Sequence, residues 1–398
     1  MLLSLNPMTN LALPQPPDEL IEHSNKLAAR IRDEIAGSGG TISFERYFEL
    51  CQYAPGLGYY SAGLSKFGPG GDFVTAPGLG DVFARCLALT LVPMLAAKPE
   101  ANILEVGCGT GVMAADILQA LQDHNALPER YWLLERSADL RQRQREMIER
   151  RVPELLARVE WLDAPPTASW TGIVLGNEIV DALAPQRFEI SADGARELRV
   201  CTRGASFDYT LGAAMPGIST RLGPELFDAL PIGYRSELQP QLGAWLAGLT
   251  ASMRQGLVLL FDYGYSRREF YLPERSAGTL VCHYQQRMFD APFWFPGLVD
   301  LSSSVEFTAL AEAGAESGLE LAAYMSQAEF LIYGELAQLM QNLEALSERA
   351  RLAITRQVRM LTLPGEMGER IKLMAFAREW PESARAPVLN RLGLRGNL

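Results

Sequence analysis

The chain has 398 residues, 48% hydrophobic and 21% charged, which is enough for a sizeable core and more than one minimal domain. Its 36 basic and 47 acidic residues leave a net charge of −11, which argues against a general nucleic-acid binder, and no run of about 18 apolar residues could span a membrane. Cys51, Cys86, Cys108, Cys201 and Cys282 are widely spaced without a CxxC pair, and His23, His124 and His283 fall in no metal-ligand spacing, so neither a disulfide framework nor a zinc site is expected. The first residues lack a signal peptide's basic and apolar regions. Asp18, Glu19 and Glu22 come too early for an Arg-rich transit sequence, and the expected location is cytoplasmic.

Residues 1 to 17 carry four prolines and read as a loose arm. The spacing of Leu20, Ile21, Leu27, Ile31 and Ile35 predicts an amphipathic helix from Asp18 to about Ala36. Ser43 can cap a second helix through Arg46 and Tyr47. A loop rich in glycine and aromatics runs from Pro55 to Gly80, long enough to suggest a functional segment. A helix follows from about Asp81 to Met94.

Short apolar runs then alternate with helical stretches. Strands are predicted at Asn102 to Val106, Tyr131 to Glu135, Val159 to Leu162, Gly172 to Gly176 and Leu257 to Asp262. That alternation is the signature of a doubly wound α/β fold with a parallel sheet. Between the fourth and fifth strands lies a long insertion. It begins with a hairpin turning at Asp193-Gly194 and continues, over about 223 to 255, as helix. After residue 305 come a helix, a strand at Leu319 to Ala323, more helix, and a last strand at Ile371 to Phe376.

The main chemical signal is Glu105-Val106-Gly107-Cys108-Gly109-Thr110-Gly111, where a strand ends and a helix starts. Glycines there let the backbone approach a ligand, and the helix N-terminus offers unclaimed N–H groups. A dinucleotide site wants G-x-G-x-x-G, which would put Val112 in the third glycine position. The spacing G-x-G-x-G, with an acid two residues before the first glycine, instead fits S-adenosylmethionine methyltransferases, with Glu105 facing the methionine ammonium. Glu135, at the end of the next strand, can accept both ribose hydroxyls, and Asp163, ending the third, would lie near the adenine. After the fourth strand come Asn177, Glu178 and Asp181. On a helix Glu178 and Asp181 would share a face, although Asn177 could simply cap that helix. Asp262 and Tyr263 end the fifth strand at the same rim.

At this point the chain resembles the MidA family of S-adenosylmethionine-dependent methyltransferases, which includes a mitochondrial protein arginine methyltransferase of respiratory complex I assembly. The resemblance runs through Gly58-Tyr59-Tyr60-Ser61, Gly71-Asp72-Phe73-Val74-Thr75-Ala76-Pro77, Asn177-Glu178 with Asp181-Ala182-Leu183, and Asp262-Tyr263-Gly264-Tyr265. It continues through Gly278-Thr279-Leu280, Tyr284, Pro296-Gly297, Asp300, Phe307-Thr308-Ala309-Leu310 and Met367-Gly368-Glu369-Arg370. It covers roughly residues 40 to 376. One departure stands out: the family continues Glu-Ile-Ser and Phe-Gly-Glu where this chain has Gly78-Leu79-Gly80 and Phe83-Ala84-Arg85, so two acids are missing.

The resemblance implies a class I, Rossmann-like methyltransferase core with an N-terminal helical extension and an inserted hairpin and helical subdomain. Expected boundaries are 1–97 for the extension and Gly-rich loop, 98–183 for the first half of the core, 184–255 for the insertion and 256–398 for the second half. The implied reaction is methyl transfer to an arginine nitrogen of a protein, with no metal, Glu178 and Asp181 or Asp262 orienting the guanidinium and Tyr263 shaping the pocket. Asn177 is assigned to the cofactor side. The loop from Gly68 to Pro77 reads as a lid, placing Gly71, Asp72, Phe73 and Thr75 against the cofactor with Glu105, Gly107, Gly109, Gly111, Glu135 and Asp163. A nicotinamide-dependent oxidoreductase, a small-molecule methyltransferase and a cofactor-binding assembly factor without catalysis are the alternatives.

Overall fold

The computed structural model describes residues 13–62, 75–341, 343–391 and 398. They fall into two compact units, each assembled from separated stretches of chain. Thr75–Val180, Gln241–Ser266 and Val305–Leu398 make the parallel-sheet unit. The described part of Met1–Val74, with Asp181–Pro240 and Arg267–Ser304, makes the insertion unit.

Seven strands carry the parallel-sheet unit: β1 Asn102–Val106, β2 Tyr131–Leu134, β3 Val159–Leu162, β4 Trp170–Asn177, β5 Met253–Tyr265, β6 Glu320–Ser326 and β7 Ile371–Arg378. Their order across the sheet is β3-β2-β1-β4-β5-β7-β6. β1 to β5 run parallel, whereas β7 is antiparallel to both β5 and β6. The two-residue strand Val305–Glu306 adds to the end of β5. A dinucleotide-binding sheet runs 3-2-1-4-5-6. Here a reversed strand stands between the fifth and sixth.

β1 is buried at all five positions, so its sequence is a continuous apolar run broken only by Asn102 and Glu105. That is how a strand covered on both faces reads. Leu87 and Leu91 of the helix Val82–Ala97, with Ile117 and Leu118 of the helix Val112–Asp123, pack with Ile103, Leu133, Ile173 and Leu259 in one core.

The insertion unit is antiparallel. The long strand Gly194–Arg203 pairs with Thr41–Ser43, Gln186–Ser191 and Ser206–Ala214, and Arg235–Leu238 pairs with Gln186–Ser191. Val281–Tyr284, Arg287–Phe289 and Asp300–Ser302 form a second, small sheet. The helices Asp18–Gly37 and Phe44–Tyr53 bring Leu27, Ile31, Phe44, Tyr47 and Phe48 into a core with Phe207, Cys282 and Val299. Ser43 caps the second helix, its hydroxyl accepting the Arg46 N–H at 3.1 Å.

The stretch 223 to 255 departs from the helical expectation. It holds the short helix Pro224–Asp228, the strand Arg235–Leu238, the helix Leu242–Thr250 and the start of β5. The strand went unread because its charge is internal. Glu237 sits opposite Arg187 in the register, and the two form a buried ion pair at 2.9 Å, 1% and 5% exposed. Arg187 also donates to the Tyr209 hydroxyl and the Ala277 carbonyl, while Glu237 accepts from the amide and hydroxyl of Thr279. A charge paired inside a sheet looks, in sequence, like a surface charge.

Candidate functional site

The sheet register gathers the candidate residues at one edge. Val106, the last residue of β1, pairs with Leu134 of β2 and Gly176 of β4, and Leu134 pairs with Leu162 of β3. Gly107, Glu135, Asp163 and Asn177 therefore follow along the C-terminal edge of the parallel strands. That edge is the ligand crevice of an open α/β sheet.

Gly107, Gly109 and Gly111 all adopt left-handed φ, +70°, +49° and +78°. At Gly107 a Cβ would come within 2.8 Å of Ile179 Cδ1, and at Gly111 within 3.1 Å of Gln144 Cα. At Gly109 it would meet nothing within 4 Å. The turn is thus packed tightly on its inner side and open at its middle glycine. The helix Val112–Asp123 starts directly after it with no side-chain cap. Open backbone and uncapped first-turn amides are what a polar, partly anionic ligand needs. Cys108 is buried within the turn, its Sγ donating to the Glu105 carbonyl at 3.2 Å. Burial pushes its thiol well above the usual range, so it is no nucleophile.

Glu105 is 1% exposed, and its carboxylate accepts the Tyr131 hydroxyl at 2.5 Å. Burial raises its pKa to about 7, against the opposing pull of the Tyr131 bond. Glu135 is half-buried. Its Oε1 accepts the Ser137 N–H at 2.7 Å, and its Oε2 the Gln144 amide at 3.3 Å. Burial raises its pKa too, with those hydrogen bonds pulling it back. Asp163 ends β3 with its side chain 85% exposed, paired with Arg141 Nη2 at 2.5 Å. Arg141 Nε donates to the Glu135 carbonyl at 2.6 Å, so one arginine joins the ends of β2 and β3.

Sequence reasoning did not single out Gln144. Its side chain is fully buried in the helix Ala138–Arg151, touching the glycine turn, Glu135 and Trp161 of β3. The signal was present. Leu140, Gln144 and Ile148, spaced by four, are that helix's buried residues, so an amide stood in an inward stripe of an otherwise charged helix.

No helix follows β4, contrary to expectation. Glu178 turns the chain at φ +52°, which costs a residue with a Cβ about 1–3 kcal/mol. A shared helical face for Glu178 and Asp181 therefore does not exist. The turn is held from β5. The Glu178 N–H donates to the Phe261 carbonyl at 2.8 Å. Fully buried Asp262 accepts the N–H groups of Ile179 and Val180 on Oδ2, at 3.1 and 2.8 Å, and that of Tyr263 on Oδ1, at 2.8 Å. Ile179 packs back onto Gly107 and Gly176. Asn177 Nδ2 donates to Glu178 Oε1 at 3.0 Å, and its Oδ1 is buried without a partner among the described residues. Tyr263 is half-buried against the core. Asp181 belongs to the insertion unit, its carbonyl accepting the Ser303 N–H at 3.2 Å.

Gly71, Asp72 and Phe73, with most of the expected lid, lie outside the described residues. Thr75 precedes the short helix Ala76–Leu79. The departure at Gly78-Leu79-Gly80 has a local counterpart. A Cβ at Gly80 would collide with the Gln357 carboxamide, whose Oε1 accepts the Val82 N–H at 3.0 Å and so caps the helix Val82–Ala97. Among the described residues no cluster of His, Cys, Asp or Glu could hold a metal ion, and no helix is long and apolar enough to cross a membrane.

The comparisons with known proteins bear on the same edge. Residues 86–325 match a family described as "Putative S-adenosyl-L-methionine-dependent methyltransferase". A crystal structure of a superfamily member from Burkholderia thailandensis, bound to S-adenosyl-homocysteine, shares 36% identity, covering 97% of this chain and 100% of its own with a TM-score of 0.91. A Drosophila melanogaster protein named protein arginine methyltransferase NDUFAF7 homolog, mitochondrial, is 28% identical over 91% of this chain and 89% of its own length. The Danio rerio protein of the corresponding name is 25% identical over 84% and 83%. These names overturn the cytoplasmic expectation, because the relatives are mitochondrial. Wide cysteine spacing does not separate one reducing compartment from another. The glycine turn, the acids along the strand ends and the reversed seventh strand accord with what the matches establish: the chain belongs to the MidA-like family of S-adenosylmethionine-dependent methyltransferases.

Proposed function

We propose that the chain methylates a guanidinium nitrogen of an arginine in a protein substrate. The observation that carries the reading is the turn after β4, where Glu178 is held at a strained φ by Asp262 next to the glycine turn. Strain kept in place by a buried carboxylate marks a residue whose direction matters. The relatives named as protein arginine methyltransferases give the acceptor.

When bound, S-adenosylmethionine supplies a methyl group already activated on sulfonium. The protein's work is then alignment. A guanidinium, with a pKa above about 12, arrives protonated. A carboxylate can hold its planar fork and localise its charge. Glu178 takes that role and accepts the proton that the nitrogen gives up as its bond to the methyl carbon forms and the carbon–sulfur bond breaks. Asp262, its oxygens spent on backbone amides, is a positioning residue, and Tyr263 forms a wall. Asp181 is assigned from its place in the sequence alone. On the cofactor side Glu135 holds the ribose, Glu105 faces the ammonium and Asp163 stands nearest the adenine. Asn177 lies between the two groups, and the assignment of Gly71, Asp72, Phe73 and Thr75 to the cofactor rests on the family resemblance alone.

Taken by itself, the insertion unit offers one tyrosine face to a cation. Tyr53 stacks on Tyr60 with centroids 5.7 Å apart and planes at 18°, yet remains 44% exposed. Its hydroxyl is tied to the Ala182 carbonyl at 2.9 Å. Desolvation of that hydroxyl, though the ring stays open, and then the negative fields of Asp300 and Asp181 raise its pKa. A tyrosine face in an acidic setting suits an arginine side chain.

Incubation with labelled S-adenosylmethionine and cell lysate, followed by hydrolysis, should yield labelled methylarginine. Glu178→Gln should lose about 100-fold in turnover while cofactor affinity holds. Label in another residue or only in small molecules would overturn the acceptor. Unchanged turnover in Glu178→Gln would remove the role of Glu178.

A further inference from the structure

We infer that Gln144 sets this protein's preference for a ribosyl cofactor, by fixing the Glu135 carboxylate and the glycine turn as one piece. The inference rests on the reading of Glu135 as the ribose acid. The orientation of the Gln144 amide is determined by its surroundings. Trp161 Nε1–H can only donate, and it lies 2.9 Å from one end of the amide, so that end is the oxygen. The NH2 group therefore faces the Gly109 carbonyl at 3.0 Å and Glu135 Oε2 at 3.3 Å. Both donors and the acceptor are used, and the side chain is fully buried.

The consequence for Glu135 is specific. Ser137 N–H fixes Oε1 and Gln144 fixes Oε2, so the carboxylate cannot rotate. With the Arg136 N–H also on the carboxylate, a lone pair still remains for a hydroxyl. The same amide pins the carbonyl of Gly109, the glycine whose Cβ direction is open. Two groups that must meet different parts of one nucleoside thus share one buried reference. Trp161 in turn fixes Gln144, and Arg145 lies over its ring at 4.4 Å. Outer partners that orient metal ligands typically change metal affinity by about 10–100-fold when lost, and the same scale is expected for this acid.

The test measures two ligands by calorimetry, S-adenosylhomocysteine and its 2′-deoxyribosyl analogue. Wild-type protein should favour the first by about tenfold, the worth of one hydrogen bond to a charged group. Gln144→Met keeps length and burial and removes all three bonds. It should weaken S-adenosylhomocysteine about 10–100-fold and bring the ratio of the two ligands close to one. Trp161→Phe, which frees the amide without touching turn or acid, should move the ratio partway and serves if Gln144→Met does not fold. An equal loss for both ligands in either variant would reveal a purely structural role and overturn the inference. A wild-type protein indifferent to the 2′-hydroxyl would overturn the reading of Glu135, and the inference with it.

Discussion

Replacing Glu105 with glutamine keeps the shape of the side chain and removes one titration from the core. In an unfolded chain this carboxyl titrates near its ordinary value of 4.5, and in the folded protein near 7. Between those values the folded state holds a proton that the unfolded state releases. The stabilisation linked to that proton is complete below about pH 4.5, falls as pH rises, and is gone above about pH 7. A displacement of that size corresponds to about 3 kcal/mol. Urea unfolding of the wild type and Glu105→Gln, in steps from about pH 4.5 to pH 8.5, should show the wild type losing about that much relative to the variant, nearly all of it below pH 7.5. Tyr131 opposes the shift by donating to the carboxylate, so the charged form is held by one bond and disfavoured by everything else around it. Stability curves that stay parallel across the range would refute burial as the controlling cause.

Binding should couple to the same proton. If Glu105 faces the ammonium of S-adenosylmethionine, binding near pH 6.5 releases up to about one proton, which calorimetry in buffers of different ionisation enthalpy detects; heats independent of buffer would remove that assignment. Gly111→Ala forces a Cβ into left-handed backbone 3.1 Å from Gln144 Cα, and should cost about 1–3 kcal/mol in urea unfolding and weaken cofactor binding. Glu237→Ala leaves Arg187 charged and unpaired inside the insertion unit and should cost about 3–5 kcal/mol; a loss under 1 kcal/mol would show that water reaches the pair.

Asn102–Val106 and Trp170–Asn177 were legible because strands buried on both faces write themselves as apolar runs. β1, β2, β3 and β4 stand within a residue or two of their predicted places. The glycine turn was legible because left-handed φ at three alternate residues leaves little choice but glycine. What failed was whatever depended on distant partners. The reversal of β7 is invisible along the chain, since a strand of Ile371–Arg378 reads alike in either direction. Arg235–Leu238 falls in the stretch expected to be helical, and its pairing of Glu237 with the distant Arg187 is not written along the chain. Glu178 and Asp181 were given a helix that Asp262, eighty residues on, replaces by claiming two amides of the turn. The role of Gln144 was hidden by its charged neighbours rather than by distance in sequence.

The order of strands also bears on how the chain is made. β6 has β7 as its partner in the sheet, and β7 follows it in the chain, at Ile371–Arg378. The insertion unit, for its part, draws on chain as late as Ser304. Most of both units must therefore leave the ribosome before either can close, with the edge of β5 bare in the interval. An apolar strand edge exposed for that long invites mispairing. This architecture makes nascent chains a natural client for chaperones, and it makes any truncation short of residue 378 a fragment with an open sheet rather than a smaller enzyme.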